Sequence, residues 1–118
     1  MNKISQLIKS FGYAIKGITA AVRMEQNMQI HLIAVIVVTL AGVWLEVSVA
    51  EWMVLVLCFG MVIGGELMNS AIEKLVDLVS PEYHAKAGMI KDMAAGAVLV
   101  LALAAAITGG FIFIPKLT

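Results

Sequence analysis

The central stretch of the sequence, residues 52–77, is WMVLVLCFGMVIGGELMNSAIEKLVD. The first part of the stretch carries no charge and is apolar enough to lie in lipid. The second part contains four polar residues at helical spacing: Glu66, Asn69, Glu73 and Asp77. At 100° per residue these side chains fall within about 80° of arc, so they form one face of a helix, the acidic stripe. The sequence therefore predicts a membrane helix that ends in an acidic face.

The composition is that of a membrane protein. Of the 118 residues, 62% are hydrophobic and 14% are charged, whereas soluble domains have about 45–50% apolar and 25% charged residues. Eight Lys/Arg balance eight Asp/Glu, which argues against a nucleic-acid partner. The single cysteine, Cys58, excludes an intramolecular disulfide and a cysteine metal site. We predict one all-α membrane domain over residues 1–118.

Three segments are long and apolar enough to cross a bilayer. Residues 26–45 carry no formal charge and suffice for about 30 Å of helix, which is one crossing. The second segment, residues 51–79, is longer than the bilayer is thick and stops before Pro81. The third, residues 89–114, contains an uncharged, alanine-rich run closed by Pro115.

Residues 1–25 have a different pattern, with apolar side chains at spacings of three and four and lysines between them. The apolar positions are Ile4, Leu7, Ile8, Phe11, Ile15 and Ile18. This pattern predicts an amphipathic helix on the membrane surface, with a cytosolic helix packed against protein as the alternative.

The distribution of basic residues predicts the orientation in the membrane. Seven of the eight Lys/Arg lie in the N-terminal segment or flank the second connection, residues 80–92, and none lies in the first connection, residues 46–51. Because cytoplasmic loops carry an excess of Lys and Arg, we predict a cytoplasmic N-terminus.

In this topology the acidic stripe lies at the cytoplasmic boundary. If Trp52 anchors the external interface, Glu66 is about 21 Å further along the helix, just inside that boundary. Lys91 and Asp92 begin the third span at the same depth. Carboxylates beside a lysine suit a divalent metal and a phosphate better than a pore. The chain contains neither GxxxxGK(S/T) nor GxGxxG, so spacing alone does not name a nucleotide.

Other interpretations of these residues stay open. Asp77 and Glu82 could be ordinary solvated residues, and Asn69 could bond a neighbouring helix. His31 and His84 are expected to be interface residues rather than catalysts. For the whole chain, the rivals are a small homo-oligomeric, proton-coupled transporter and a structural subunit that docks through the acidic stripe.

Two motifs resemble the small bacterial integral-membrane lipid kinases of the diacylglycerol kinase family. The first is residues 66–99, ELMNSAIEKLVDLVSPEYHAKAGMIKDMAAGAVL. The second is residues 11–27, FGYAIKGITAAVRMEQN, which is similar to the family's N-terminal surface helix. The resemblance implies transfer of the γ-phosphoryl group of ATP to the hydroxyl of a membrane lipid alcohol, at the cytoplasmic face of the bacterial inner membrane. It also implies a homotrimer of helical protomers.

The resemblance implies roles for individual residues. Glu66 is similar to the family's general base, and Asn69 to the residue that orients the acceptor or the base. Glu25 and Glu73 are similar to the carboxylates that hold Mg²⁺ with the nucleotide phosphates. Lys91 is similar to the family's phosphate contact. The other positions assigned to the nucleotide site are Tyr13, Asp77, Glu82, Tyr83, His84 and Asp92.

Gln6 departs from the family pattern, because some members have an arginine there that reaches the nucleotide. Four segments resemble the undecaprenol-kinase branch more than the branch that phosphorylates diacylglycerol: NMQIH (27–31), AEW (50–52), AAGAVL (94–99) and FIPKL (113–117). The sequence thus slightly favours a polyprenol over a diacylglycerol substrate.

Overall fold

The computed structural model describes residues 2–118, and that part of the chain forms four α-helices and no β-strand. The helices are α1 (Lys3–Met24), α2 (Gln26–Trp44), α3 (Val49–Val79) and α4 (Ala85–Leu117). The last three are long and apolar enough to cross a membrane, with mean hydropathies of 1.7, 1.7 and 2.6. The structure therefore confirms an all-α fold with three helices of membrane-spanning length.

Local sequence signals explain where the helices begin and end. The single residue between α1 and α2 is Glu25, whose extended backbone (φ −109°, ψ 115°) separates the two helices. Ser48 and Glu51 form a capping box at the start of α3, which satisfies backbone N–H groups that have no partner within the helix. α3 ends at Val79, because Pro81 disfavours helical backbone at the residue before it.

Pro115 lies inside the last turn of α4, since this helix continues to Leu117. The sequence predicts that the span closes at Pro115, whereas the helix runs past it. A proline removes one N–H donor, and so close to the helix end the lost hydrogen bond breaks no following turn. Beside it, Lys116 Nζ lies 3.0 Å from Glu51 Oε1 and connects the end of α4 to the start of α3.

α3 is the central helix of the protomer, because it packs against α1, α2 and α4. A buried cluster of Val47, Leu55 and Ile112 lies towards the first connection. At the other end, α3 and α4 approach closely at Gly65, where a Cβ atom would lie 2.5 Å from Leu101 Cδ1. The glycine thus permits close helix packing one residue before the acidic stripe.

Candidate active site

Three polar side chains of α3 are buried in the interior of the protomer. Glu66 is 2% exposed, Asn69 is 4% exposed and Ser70 is 5% exposed. They lie within little more than one helical turn, so they face the same region of the protomer. A carboxylate at membrane depth is costly and is usually retained for function. Glu66 is therefore the centre of the candidate site.

Only part of the hydrogen-bonding capacity of the Asn69 side chain is used by its neighbours. Its Nδ2 atom donates a hydrogen bond to Oε1 of Glu73 at 3.3 Å. Its Oδ1 atom and the hydroxyl of Ser70 are buried and have no hydrogen-bond partner among the described residues. Because a buried polar atom without a partner costs about 1–3 kcal/mol, these atoms favour a ligand that brings its own polar groups.

Glu25 approaches α3 from the corner between α1 and α2. Lys74 of α3 donates a hydrogen bond from Nζ to Oε1 of Glu25 at 2.6 Å, which holds this corner against α3. Glu73, which accepts the hydrogen bond from Asn69, is the residue before Lys74 and lies two turns after Glu66 on α3. Glu25, Glu66 and Glu73 therefore lie along the same part of α3, and we call these three carboxylates the acidic cluster.

The acidic cluster fits a Mg²⁺ ion that is shared with phosphate groups. Mg²⁺ is typically held by one or two carboxylates, while waters and substrate phosphates complete its coordination. Glu25 and Glu73 can supply the carboxylates, and the free Oδ1 atom of Asn69 can accept a hydrogen bond from a metal-bound water. Within residues 2–118 no three His, Cys, Asp or Glu side chains form a metal site by themselves.

Lys91 of α4 lies beside the acidic cluster. Its Nζ atom donates a hydrogen bond to Oδ1 of Asp77 at 2.6 Å, and its charge also interacts with Glu73. The side chains of Lys91 and Asp77 are 37% and 63% exposed, so their pairing is accessible to solvent. A phosphate held at the cluster could therefore compete with Asp77 for the lysine.

Five residues assigned to the nucleotide site lie at the surface: Tyr13, Glu82, Tyr83, His84 and Asp92. His84 caps the N-terminus of α4, where its Nδ1 atom accepts a hydrogen bond from the backbone N–H of Lys86 at 3.1 Å. Tyr13 lies on α1, with the Nζ atom of Lys16 5.9 Å from its ring centroid. In the part of the chain that the structure describes, no side-chain hydrogen bond or ion pair joins the five to the acidic cluster.

Two neighbours of the cluster were not assigned to the site from the sequence. His31 of α2 has its Nε2 atom 3.7 Å from Oε2 of Glu66, and Lys74 pairs with Glu25. His31 is the one titratable side chain in the uncharged run of residues 26–45. Its isolation in that run could have indicated that it belongs to the site. Lys74 gave no such signal, since its partner lies 49 positions earlier.

Comparison with known proteins agrees with a kinase site. Residues 12–113 match the prokaryotic diacylglycerol kinase family. Undecaprenol kinase from Bacillus subtilis (strain 168) is 42% identical over 116 residues, which cover 98% of this chain and 94% of that protein. Diacylglycerol kinase from Escherichia coli (strain K12) is 36% identical over 104 residues, covering 88% and 85%.

The helical fold and these relatives define a multi-pass membrane enzyme that phosphorylates lipid. The chain belongs to the prokaryotic diacylglycerol kinase family, as its two motifs indicated. The alternative of a proton-coupled transporter finds no support among these relatives.

Proposed function

We propose that the protein transfers the γ-phosphoryl group of ATP to the hydroxyl of a membrane lipid alcohol, at the cytoplasmic surface of the bacterial inner membrane. The observation that carries this proposal is the burial of Glu66, which is 2% exposed, on the part of α3 where Asn69 contacts Glu73 and Lys74 contacts Glu25. A lipid hydroxyl can approach such a carboxylate from the hydrocarbon side. The phosphates of a nucleotide can approach the other two from the water side.

Glu66 acts as the general base in this proposal. Phosphoryl transfer requires mainly alignment of donor and acceptor and neutralisation of charge. Glu66 accepts the hydroxyl proton of the lipid as that oxygen attacks the γ-phosphorus. Asn69 orients the acceptor or the base: its amide is fixed by the hydrogen bond to Glu73, and its Oδ1 atom is free to accept another.

The remaining charged residues bind the nucleotide. Glu25 and Glu73 hold Mg²⁺ with the phosphates, and the ion supplies neutralisation of their negative charge when it is bound. Lys91 leaves Asp77 to contact a phosphate, and Asp92 follows it in α4, about two turns after the start of that helix. The surface residues that complete the nucleotide site are Tyr13, Glu82, Tyr83 and His84, and Asp77 belongs to the site as the residue that pairs with Lys91 when no phosphate is bound.

In the assembly that we propose, α1 lies on the membrane surface and three protomers associate. The apolar positions of α1 that the sequence singled out are exposed: Ile4, Leu7, Ile8, Phe11, Ile15 and Ile18. Large apolar side chains of the spans are exposed as well, including Leu57 at 66% and Leu103 at 54%. These surfaces suit lipid and neighbouring protomers. The basic N-terminal segment favours a cytoplasmic N-terminus.

A polyprenol is the substrate that we favour over diacylglycerol. The segments at residues 27–31, 50–52, 94–99 and 113–117 resemble the undecaprenol-kinase branch more than the branch that phosphorylates diacylglycerol. The relative from Bacillus subtilis that carries this name is also matched over 94% of its length at 42% identity. The corresponding values for the Escherichia coli diacylglycerol kinase are 85% and 36%.

The test is transfer of label from γ-labelled ATP by the purified protein in mixed micelles. Undecaprenol and diacylglycerol are supplied in separate reactions, each with and without Mg²⁺. We expect Mg²⁺-dependent label in undecaprenol and little in diacylglycerol. Label in diacylglycerol alone would overturn the substrate assignment, and label in neither lipid from an intact oligomer would overturn the kinase reaction with these lipid alcohols.

A further inference from the structure

His31 is a second ionisable side chain beside Glu66, and it comes from a different helix. Its Nε2 atom lies 3.7 Å from Oε2 of Glu66, so a movement of about 0.5 Å brings the two within hydrogen-bond distance. The histidine side chain is 20% exposed, whereas that of Glu66 is 2% exposed. His31 is thus more exposed than the carboxylate that it approaches, and it lies in the second turn of α2, about 7.5 Å from the end of that helix at Gln26.

A cleft of about 480 Å³ lies beside His31, between α2, α3 and α4. His31 lines the cleft together with apolar residues, among them Val62 one turn before Glu66. α4 contributes small side chains to it, such as Ala102 and Ala105. The imidazole is thus the titratable group that contacts both Glu66 and the cleft.

The general base must release the proton that it accepts from the lipid. After each transfer the carboxyl group of Glu66 is protonated, and it must lose this proton before it can act again. At 2% exposure it has little direct contact with water. Asn69 cannot accept a proton because its side chain is an amide. Glu25 and Glu73, the other carboxylates of the acidic cluster, are engaged with the metal and phosphates in the proposed reaction.

We propose that His31 is a positioning residue that takes the proton from Glu66 and releases it to water; this inference rests on the proposed kinase reaction. The lipid hydroxyl gives its proton to Glu66, its oxygen bonds to the γ-phosphorus, and the bond to the oxygen that bridges to the β-phosphate breaks, which releases ADP. Glu66 then gives the proton to Nε2 of neutral His31. The resulting imidazolium loses a proton to water, which regenerates both groups.

The variant that tests the relay is His31→Gln, which keeps a polar side chain beside Glu66 but cannot accept a proton. We expect kcat to fall by about 10²-fold, at the lower end of what a proton-transfer group contributes, while KM for ATP and for lipid stays close to the wild-type value. Thr39→Val is the matched control, because Thr39 lies on the same helix and its hydroxyl donates a hydrogen bond to the backbone carbonyl of Val35.

Chemical rescue separates proton transfer from a packing role. In His31→Ala, added imidazole should restore part of kcat, and the restored rate should follow the concentration of the unprotonated form. A packing role does not predict this dependence on protonation. A wild-type kcat in His31→Gln, or a folded His31→Ala that imidazole does not activate, would overturn the relay.

The wild-type enzyme separates a wrong relay from a wrong reaction. If the wild type labels no lipid at any pH, the proposed reaction itself is wrong, which is a separate result.

Discussion

Lys74 and Glu25 connect the corner between α1 and α2 to the middle helix of the protomer, through a contact of 2.6 Å between Nζ and Oε1. Glu25 is one of the two proposed metal ligands, so the lysine occupies a place where a cation is expected during the reaction. The side chains are 55% and 24% exposed. An ion pair this accessible contributes about 0–1 kcal/mol to the stability of the protein. Loss of the pair should therefore change metal binding more than it changes stability.

Lys74→Met should increase the affinity for divalent metal in the absence of nucleotide. Removal of the ammonium group leaves Glu25 free and makes the acidic cluster more negative. We expect tighter binding of Mn²⁺, as a spectroscopic substitute for Mg²⁺, and a melting temperature close to that of the wild type. Lys9→Met, on the exposed part of α1, is the control for loss of a positive charge. Equal Mn²⁺ affinities in both variants and the wild type would contradict the assignment of Glu25.

Glu66→Gln should abolish turnover and leave nucleotide binding intact. The amide has the shape of the carboxyl group but cannot accept the lipid proton. Because a buried charge is removed, stability should be unchanged or higher. Turnover and equilibrium binding of ATP are measured on the same sample, with Glu46→Gln as a control in the first connection. Near-normal turnover would remove Glu66 from the role of base.

Gly65 should be sensitive to added volume, whereas its neighbour Gly64 should not. A Cβ atom at Gly65 would lie 2.5 Å from Leu101 Cδ1, but nothing lies within 4 Å of one at Gly64. Gly65→Val should therefore destabilise the protein by roughly 1–3 kcal/mol through overpacking. Gly64→Val is the matched control, because it causes the same change in helix propensity. Thermal unfolding in one detergent compares them, and Leu101→Ala should restore part of the stability of Gly65→Val.

Much of the fold could be predicted from the sequence for a physical reason. A chain in lipid must satisfy its backbone hydrogen bonds internally, so uncharged runs of sufficient length form helices. The number of membrane-spanning helices follows from this constraint. The helical period likewise places Glu66 and Glu73 on one face of α3 before any tertiary contact is known.

The contacts between helices could not be predicted in the same way. Whether His31 of α2 faces Glu66 depends on the rotation of each helix about its own axis, which is set by the packing of many side chains. The pairing of Lys74 with Glu25 depends on the angle at the corner between α1 and α2. The periodicity of one helix gives neither its rotation nor the angle at this corner. The contacts of His31 with Glu66 and of Lys74 with Glu25 were therefore found only in the structure.

Replacing Lys91 and replacing Asp77 by an uncharged residue should have different effects on KM for ATP. Lys91 is proposed to bind a phosphate of the nucleotide, and Asp77 is proposed to compete with that phosphate for the lysine. Lys91→Met removes the phosphate contact, so KM for ATP should rise by about tenfold, the scale of one charge-assisted hydrogen bond. Asp77→Asn frees the lysine from its 2.6 Å partner, so KM for ATP should be unchanged or lower. If both substitutions raised KM equally, the ion pair itself would be part of the nucleotide site, and the exchange of partners would be wrong.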